Sequence, residues 1–271
     1  MSSAATEQLE STTPTPSRSR STQSGWAARL IADATVLIIL GLWWSAAAVY
    51  GPFVLPDPLS VARDLLALFT SPTLLGHAAA STVRVVLSLL IAFVLGGGLA
   101  LLARAVPILD DVVHGRILVF LNSFPSVGWA ILSVIWFRVS DFSVIFVQVA
   151  ILIPFSLINI SEGLAELDRD TVEMARSFTR HRARIFVKVM LPLMLPYLIA
   201  ALRVSYGIAW KIALVSELFG PDSGLGYLMI QAETVANATR VFSTSFAIVL
   251  LFTLGEKLVI DPLARRFAPP S

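Results

Sequence analysis

Long apolar stretches recur along this chain and determine the predicted architecture. A helix needs about 20 apolar residues to cross roughly 30 Å of hydrocarbon, and a helix that is apolar on every side is buried or lies in a membrane. Six stretches have this character: 30–50, 83–103, 117–137, 143–160, 193–215 and 241–260. The pattern predicts an all-α membrane protein with about six transmembrane helices.

The segments between these stretches indicate how the chain is organised. The third and fourth stretches are joined by only a few residues at 138–141, so we expect a helical hairpin there. Residues 1–25 are rich in serine, threonine and proline, and we expect a disordered tail because such a segment cannot bury enough apolar surface. A transmembrane domain is predicted over 26–262, followed by a short tail over 263–271.

The composition agrees with a membrane protein and excludes several kinds of site. Of 271 residues, 56% are hydrophobic and only 14% are charged, against about 25% charged in a typical soluble domain. The mean hydropathy is +0.80. The net charge of +2 does not indicate a nucleic-acid partner, and the absence of cysteine excludes disulfides and cysteine-based zinc sites. Three scattered histidines complete no catalytic or metal-binding pattern, so we predict neither kind of site.

The basic residues predict the orientation in the membrane. Most arginines and lysines outside the apolar stretches fall in one set of alternate loops, which includes both termini and the long loop 161–192. Loops rich in arginine and lysine stay on the cytoplasmic side. We therefore expect both termini and the loop 161–192 to be cytoplasmic.

The loop 161–192 is too long for a simple connection, and its sequence predicts two short helices. Asp170 followed by Glu173 resembles a capping box, so the first helix should start near Thr171. Met174, Ala175 and Phe178 would form its apolar side.

The chain should turn near Thr179 and enter a second helix with an apolar and a basic side. Leu191-Pro192 should end that helix, because proline disfavours helical geometry in the residue before it. The apolar positions are Ile185, Phe186, Val189 and Met190, and the basic ones are Arg180, Arg184 and Lys188. Composition alone leaves two interpretations open: an interfacial helix on anionic lipid, or a docking element for a cytosolic protein.

The same loop resembles a known family signature. The run 173–179, followed by 189–192, is similar to the EAA signature of bacterial ATP-binding-cassette (ABC) importer permeases. The spacing from Glu173 places Thr179 at the glycine position and Leu191-Pro192 at the final pair. Met174 stands where the signature has alanine, and Thr179 replaces a glycine that normally supplies a turn. The resemblance favours the docking interpretation.

Further landmarks, covering roughly 50–260, resemble the nitrate/sulfonate/taurine type of these permeases. They are Leu55-Pro56-Asp57-Pro58, His77 with 81–84, Trp136-Phe137, the run 159–163, Trp210, Glu217 and the run 224–227. After Trp136-Phe137 that subfamily usually has Gly-x-Gly, whereas this chain has Arg138-Val139-Ser140. We expect a stiffer loop at this position.

The resemblance implies a fold like that of type I ABC importers and a defined set of partners. It implies two copies of this chain in a bacterial inner membrane, two cytosolic ABC ATPase subunits and a periplasmic substrate-binding protein, with membrane lipid around them. The chain has no GxxxxGK[ST] phosphate loop, so ATP and Mg²⁺ would belong to the ATPase subunits and this chain would not be an enzyme. The residues that would contact the ATPase are Glu173, Met174, Ala175, Arg176, Thr179, Leu191 and Pro192.

The solute is not readable from the sequence, although the subfamily suggests a small, anionic compound. Trp210, Lys211 and Glu217 are candidates for the solute pathway because charges within membrane spans are usually functional; an ion pair between helices is the alternative. The glycines 96–98 indicate close helix packing, whereas for Pro125, Pro154 and Pro196 within the spans a pathway lining is the alternative to packing. An ion-driven secondary transporter and a membrane-embedded enzyme are the competing functions.

Overall fold

The computed structural model describes residues 24–167, 169–179 and 181–267, and all regular elements in these ranges are helical. The helices are α1 (Ser24–Tyr50), α2 (Pro58–Thr70), α3 (Pro72–Ala105), α4 (Pro107–Val112), α5 (Leu118–Ser123), α6 (Ser126–Phe137), α7 (Asp141–Ala165), α8 (Arg169–Phe178), α9 (Arg182–Ile185), α10 (Leu191–Leu218), α11 (Leu225–Thr234), α12 (Ala238–Gly255) and α13 (Asp261–Phe267). Three π-helical turns connect consecutive helices: Val113–Ile117, Phe186–Met190 and Glu256–Ile260. The tail predicted over 1–25 lies almost wholly outside the described residues.

Four helical segments in the described chain are long and apolar enough to cross a membrane, namely Arg29–Tyr50, Pro72–Ala105, Asp141–Ala165 and Ala183–Leu218. They account for four of the six predicted spans. The sixth predicted stretch, 241–260, is helical but is not among them. The helix α12 carries Arg240, Ser243 and Thr244 in its first half, so its fully apolar part is shorter.

The third predicted span, 117–137, is wrong as a single straight helix. The chain bends by 87° between Pro107–Ser123 and Ser126–Phe137, and the two parts together could form one broken span. Pro125 explains the break, because it forces the preceding residue out of helical geometry; Phe124 is extended, with φ −80° and ψ 127°. The predicted hairpin is confirmed, since α6 and α7 pack against each other across the short turn at 138–140.

Helices α3, α7 and α10 form the centre of the bundle. α3 and α7 run parallel and cross closely at Gly96, where an added Cβ would lie 2.8 Å from the Cβ of Ser156. α10 runs antiparallel to both, and a Cβ at Gly163 of α7 would lie 2.9 Å from the Cβ of Tyr197. Small residues at these crossings let the backbones approach, as in other membrane helix pairs.

Polar side chains connect the same three helices within the bundle. The hydroxyl of Ser88 on α3 donates to the Gln148 side-chain oxygen at 2.6 Å, and the Gln148 amide lies 3.5 Å from the hydroxyl of Ser216 on α10. All three residues are buried. Buried polar groups are tolerated here because they find partners within the bundle.

Helix α2 packs on α12 and begins with a well-formed cap. The Asp57 carboxylate accepts hydrogen bonds from the Ser60 hydroxyl and backbone N–H, at 2.5 and 2.9 Å, and Pro58 occupies the first turn. The hydrogen bond from the Ser60 hydroxyl, and after it the one from the Ser60 N–H, lowers the pKa of Asp57. The stabilisation by this cap is therefore complete above the ordinary carboxyl pKa and is lost as the pH falls through the lowered pKa. Asp64 of α2 binds Arg240 of α12 at 2.8 Å.

The chain divides into two compact units, Met1–Ser45 and Ala46–Ser271. The described part of the first unit belongs to α1, whose side chains from Arg29 onward are mostly exposed and apolar. In the second unit, α11 packs against α10 and α12.

The close approach at Gly96 predicts a stability difference between neighbouring glycines. Gly96→Ala should destabilise the fold by about 1–3 kcal/mol, because the new methyl group must displace Ser156 and the backbone of Leu157. Gly98→Ala is the matched control, since nothing lies within 4 Å of its Cβ; it should be neutral or slightly stabilising. Thermal unfolding in detergent measures both, and equal midpoints would contradict the packing argument.

Candidate functional site

The helix α8 carries most of the predicted ATPase-contacting residues. It begins at Arg169, two residues before the predicted start, so Asp170 lies in its first turn rather than at the cap. α8 packs against α9 and the π-helical turn that follows. The prediction of a short helix at this position is confirmed.

The turn at Thr179 forms without the glycine of the family signature. Among the described residues other than glycine, only Arg138 and Ala236 have a positive φ, so Thr179 does not need left-handed geometry. Its N–H donates to the Ala175 carbonyl at 3.3 Å, and its hydroxyl oxygen accepts from the His181 N–H at 3.3 Å. A hydroxyl-capped turn replaces the glycine turn.

The predicted helix end at Leu191-Pro192 is wrong. A continuous helical segment of 36 residues runs from Ala183 to Leu218, straight through this pair. The π-helical turn Phe186–Met190 lies directly before it, and the Leu191 N–H bonds the Phe186 carbonyl, five residues back. This wider turn shifts the backbone carbonyls where the proline ring would otherwise collide with one, so the helix continues.

The apolar residues of α8 are uncovered, whereas those of the next helix are packed. Met174 and Phe178 are 59% and 83% exposed, and Glu173 and Arg176 are exposed beside them. Ala175 is half-buried. Ile185 in α9 is buried, and the other predicted apolar positions, Phe186, Val189 and Met190, are half-buried. The exposed large apolar side chains in this part of the loop are therefore Met174 and Phe178 on α8, with Val187 on the π-helical turn. Leu191 and Pro192 lie at the start of α10.

The three pathway candidates on α10 do not lie together. Trp210 is buried, Lys211 is exposed, and Glu217 is buried. Trp210 packs in the core with Trp129 and Tyr206. The structure brings Glu217 together with Arg84 of α3 rather than with Lys211.

Glu217 is held by three groups, two from α3 and one from α11. The Ser81 hydroxyl lies 2.8 and 2.7 Å from its two oxygens, and Arg84 Nη1 donates to Oε1 at 2.9 Å. The backbone N–H of Gly226 donates to Oε2 at 2.9 Å, and the Leu225 N–H donates to the Ser81 oxygen at 2.8 Å. A buried carboxylate with this many donors has its charge compensated.

Arg84 extends this cluster to the ends of two further segments. Its Nε and Nη2 donate to Asp141 Oδ1 at the start of α7, at 2.8 and 2.5 Å. Nη1 and Nη2 also donate to the Ser223 carbonyl and hydroxyl, at 2.9 and 2.5 Å. Arg84 is 3% exposed, whereas the Asp141 side chain is 71% exposed. The guanidinium thus joins α3, α7, α10 and the segment before α11.

The glycines before α11 fold around the Glu217 side chain. Gly224 has φ +109°, and a Cβ there would lie 2.5 Å from the Glu217 carboxylate. Its N–H donates to His77 Nδ1 at 3.2 Å, and the His77 ring stacks on Tyr227. The sequence marked His77, 81–84, Glu217 and 224–227 as family landmarks, but not as one site. Asp141 and Ser223 were missed, and no sequence signal paired them with Arg84.

A second ion-pair cluster lies on the part of α10 nearer to loop 161–192. Arg203 Nε and Nη2 donate to Glu256 and Asp261, at 2.9 and 2.5 Å, from a partly exposed position. Within the described residues, no group of three or more histidine, aspartate or glutamate side chains could hold a metal ion.

Comparison with known proteins identifies the family. Residues 92–269 match the family described as "Binding-protein-dependent transport system inner membrane component". The chain belongs to this family. It is a multi-pass inner-membrane protein and a permease component of an ABC importer, as the resemblance in its sequence predicts.

Related permeases match over most of their length. The chain is 27% identical over 243 residues to the taurine transport system permease protein TauC of Escherichia coli, covering 87% of each chain. It is 28% identical over 240 residues to the putative aliphatic sulfonates transport permease protein SsuC of Bacillus subtilis, covering 86% of this chain and 83% of the relative. These matches confirm the nitrate/sulfonate/taurine-type assignment.

A solved structure confirms the fold class. An inward-facing structure of the MetNI methionine ABC transporter has a TM-score of 0.65 and 20% sequence identity, over 73% of this chain and 97% of that one. The similarity supports an all-α importer permease fold like that of MetNI.

The buried cluster predicts which arginine matters most for stability. Arg84→Gln should lower the free energy of unfolding by about 3–5 kcal/mol, because it leaves the buried Glu217 carboxylate without its cation. Arg240→Gln breaks the more exposed pair with Asp64 and should cost less. Denaturant unfolding in detergent compares the two variants. Similar losses of unfolding free energy would show that burial does not make the Arg84–Glu217 pair more important for stability than the Arg240–Asp64 pair.

Proposed function

We propose that this permease forms the membrane pathway for a small anionic solute, and that α8 couples the pathway to a separate ATPase. It would work as two copies with two cytosolic ABC ATPase subunits and a periplasmic substrate-binding protein. ATP and Mg²⁺ would be bound by the ATPase subunits. Membership of an importer permease family argues against the two competing functions, an ion-driven carrier and a membrane-embedded enzyme.

The uncovered apolar surface of α8 carries the proposed coupling role. Met174 and Phe178 are more than half exposed on a short helix, whereas Ile185 of the following helix is buried. Large apolar side chains grouped on a surface mark a contact with a partner, and a short amphipathic helix fits a hydrophobic groove. Arg176 and Glu173 lie beside these residues and would pair with charges at the rim of that groove.

The long helix provides a mechanical connection from α8 to the far end of the bundle. α8 rests on α9 and the π-helical turn, and these continue without a break into α10. A helical segment of 36 residues spans about 54 Å. A displacement of α8 by the ATPase would therefore tilt a single rod that reaches Lys211 and Glu217, which is a rigid-body route to alternating access.

Lys211 supports a pathway along the exposed face of α10. The contacts of Ser216 with Gln148 and of Tyr197 with Gly163 bracket Lys211, so it lies opposite the apolar middle of α7. The exposed residues 7 and 11 positions before Lys211, Val204 and Ala200, are uncharged, and the nearby Arg203 is paired with Glu256 and Asp261. An exposed lysine at this depth would be unfavourable against lipid, so a water-filled pathway or a second copy should face it.

The chemistry of Lys211 and the names of the relatives agree on the solute class. Taurine and aliphatic sulfonates, named for the two relatives, both carry a sulfonate anion. A fixed ammonium group would attract such an anion in a pathway with apolar walls. We therefore propose a sulfonate-type or similar small organic anion. Trp210 would pack behind the exposed face of α10 from within the core, and Glu217 would fix the end of α10 that is farther from α8.

The coupling role predicts a defect confined to the ATPase contact. Glu173→Lys should abolish solute uptake while the protein still inserts in the membrane, because it reverses a charge beside the apolar surface. Met174→Glu should prevent co-purification of the ATPase in addition to uptake. Val187→Glu should affect co-purification much less, because Val187 is exposed on the π-helical turn and not on α8. Normal uptake together with normal ATPase co-purification in both α8 variants would refute the proposal.

The pathway role predicts a requirement for positive charge at position 211. Lys211→Gln should reduce taurine or alkanesulfonate uptake in vesicles at least tenfold, and Lys211→Arg should retain most of it. Lys257→Gln is the control, because Lys257 is exposed on the π-helical turn after α12. ATPase co-purification should be normal in all three variants. Equal uptake by the two glutamine variants would contradict a role for Lys211.

A further inference from the structure

The turn between α6 and α7 contains a residue in a conformation that favours glycine. Arg138 has φ 60° and ψ −176°, in a region that residues with a Cβ rarely occupy. Strain of this kind persists where the surrounding structure fixes the backbone, and it concentrates at functional positions. The presence of arginine instead of glycine at this position therefore requires a structural or functional explanation.

The contacts on both sides of Arg138 explain why its backbone cannot relax. Ser140 and Ser143 cap α7 reciprocally, and the Ser140 hydroxyl donates to the Phe137 carbonyl at 3.2 Å. The Phe137 ring packs edge-on against Phe142 at 4.8 Å between centroids. The turn is closed at both ends, so the strain falls on the residue between them.

The guanidinium of Arg138 is left without an acidic partner within the described part of the chain. The nearest acid along the sequence is Asp141, and its carboxylate is held by Arg84 through two nitrogens. Arg138 itself is exposed. The turn thus presents a free cation, although an acid lies only three residues away.

The surroundings of this cation are aromatic and apolar. Trp136, Val139 and Phe142 are 55%, 56% and 58% exposed on the same turn. A basic residue among exposed aromatic side chains is typical of the lipid headgroup region, where arginine binds phosphate through paired N–H groups. A soluble partner would either leave these rings exposed to water or need an apolar surface of its own to cover them, whereas the acyl chains of a lipid cover them directly.

We propose that Arg138, together with Trp136 and Phe142, binds the phosphate of a phospholipid at the membrane surface opposite loop 161–192. The lipid phosphate supplies the missing counter-charge, and its acyl chains cover the aromatic rings. The bound lipid anchors the hairpin next to Asp141, and so next to the Arg84 cluster. This site depends on the chain lying in a membrane and not on the solute or the ATPase.

Two substitutions separate the strain from the charge. Arg138→Gln removes the charge and keeps the Cβ, whereas Arg138→Gly removes both. Arg63→Gln is the control, because Arg63 is exposed on α2 and also lacks a described acidic partner. Unfolding midpoints of the full-length chain are measured in neutral detergent and then with increasing phosphatidylglycerol.

In neutral detergent, Arg138→Gly should raise the midpoint by several degrees and Arg138→Gln should leave it unchanged. With phosphatidylglycerol, the wild type and Arg63→Gln should be stabilised alike. Both Arg138 variants should need about fivefold more of this lipid for the same gain.

Two results would overturn the proposal. One is a response of Arg138→Gln to phosphatidylglycerol equal to that of the wild type, and the other is stabilisation of the wild type by free glycerol phosphate as large as that by the lipid.

Discussion

The guanidinium of Arg84 is the interaction on which the arrangement of the bundle depends. It joins the start of α7 through Asp141, the end of α10 through Glu217, and the segment before α11 through Ser223. Charged groups are costly to remove from water, and a buried pair is stable only when its remaining hydrogen bonds are satisfied. Here the partners come from different segments, so the charge is compensated only when all of them are assembled.

The opposite end of the bundle is built on a different principle. There the central helices meet through small and aliphatic side chains, with Ala103, Leu164 and Met194 in one apolar cluster. Apolar contacts are non-directional, so they permit small shifts that a network of directed hydrogen bonds resists. The contacts of α3, α7 and α10 with one another should therefore deform more easily at this end, where the directed ion pairs of α10 run only from Arg203 to Glu256 and Asp261. This suits a segment proposed to receive motion from an ATPase.

Sequence reasoning succeeded where the signal was local or periodic and failed where it depended on packing. Apolar length predicted four of the six spans, and the capping-box sequence with its apolar positions predicted α8. Two prolines illustrate the limit. Pro125 breaks its helix, whereas Pro192 lies within one, directly after the π-helical turn Phe186–Met190, and no residue pattern predicts that turn. Lys211 and Glu217 are six positions apart, which places them about 120° apart around a helix, and only the fold shows that α3 supplies the partner of Glu217.

These two ends together define how the long helix could move. A one-turn slip of α10 would shift Glu217 by about 5.4 Å, which exceeds the reach of the hydrogen bonds from Ser81 and Arg84. The Arg84 cluster thus fixes the axial register of α10 against α3. If α8 transmits motion from an ATPase, the rod can only pivot about this fixed end, and the largest displacement falls at the apolar end. Lys211 lies close to the pivot, so its surroundings would change mainly by rotation of the exposed face and not by translation along the membrane.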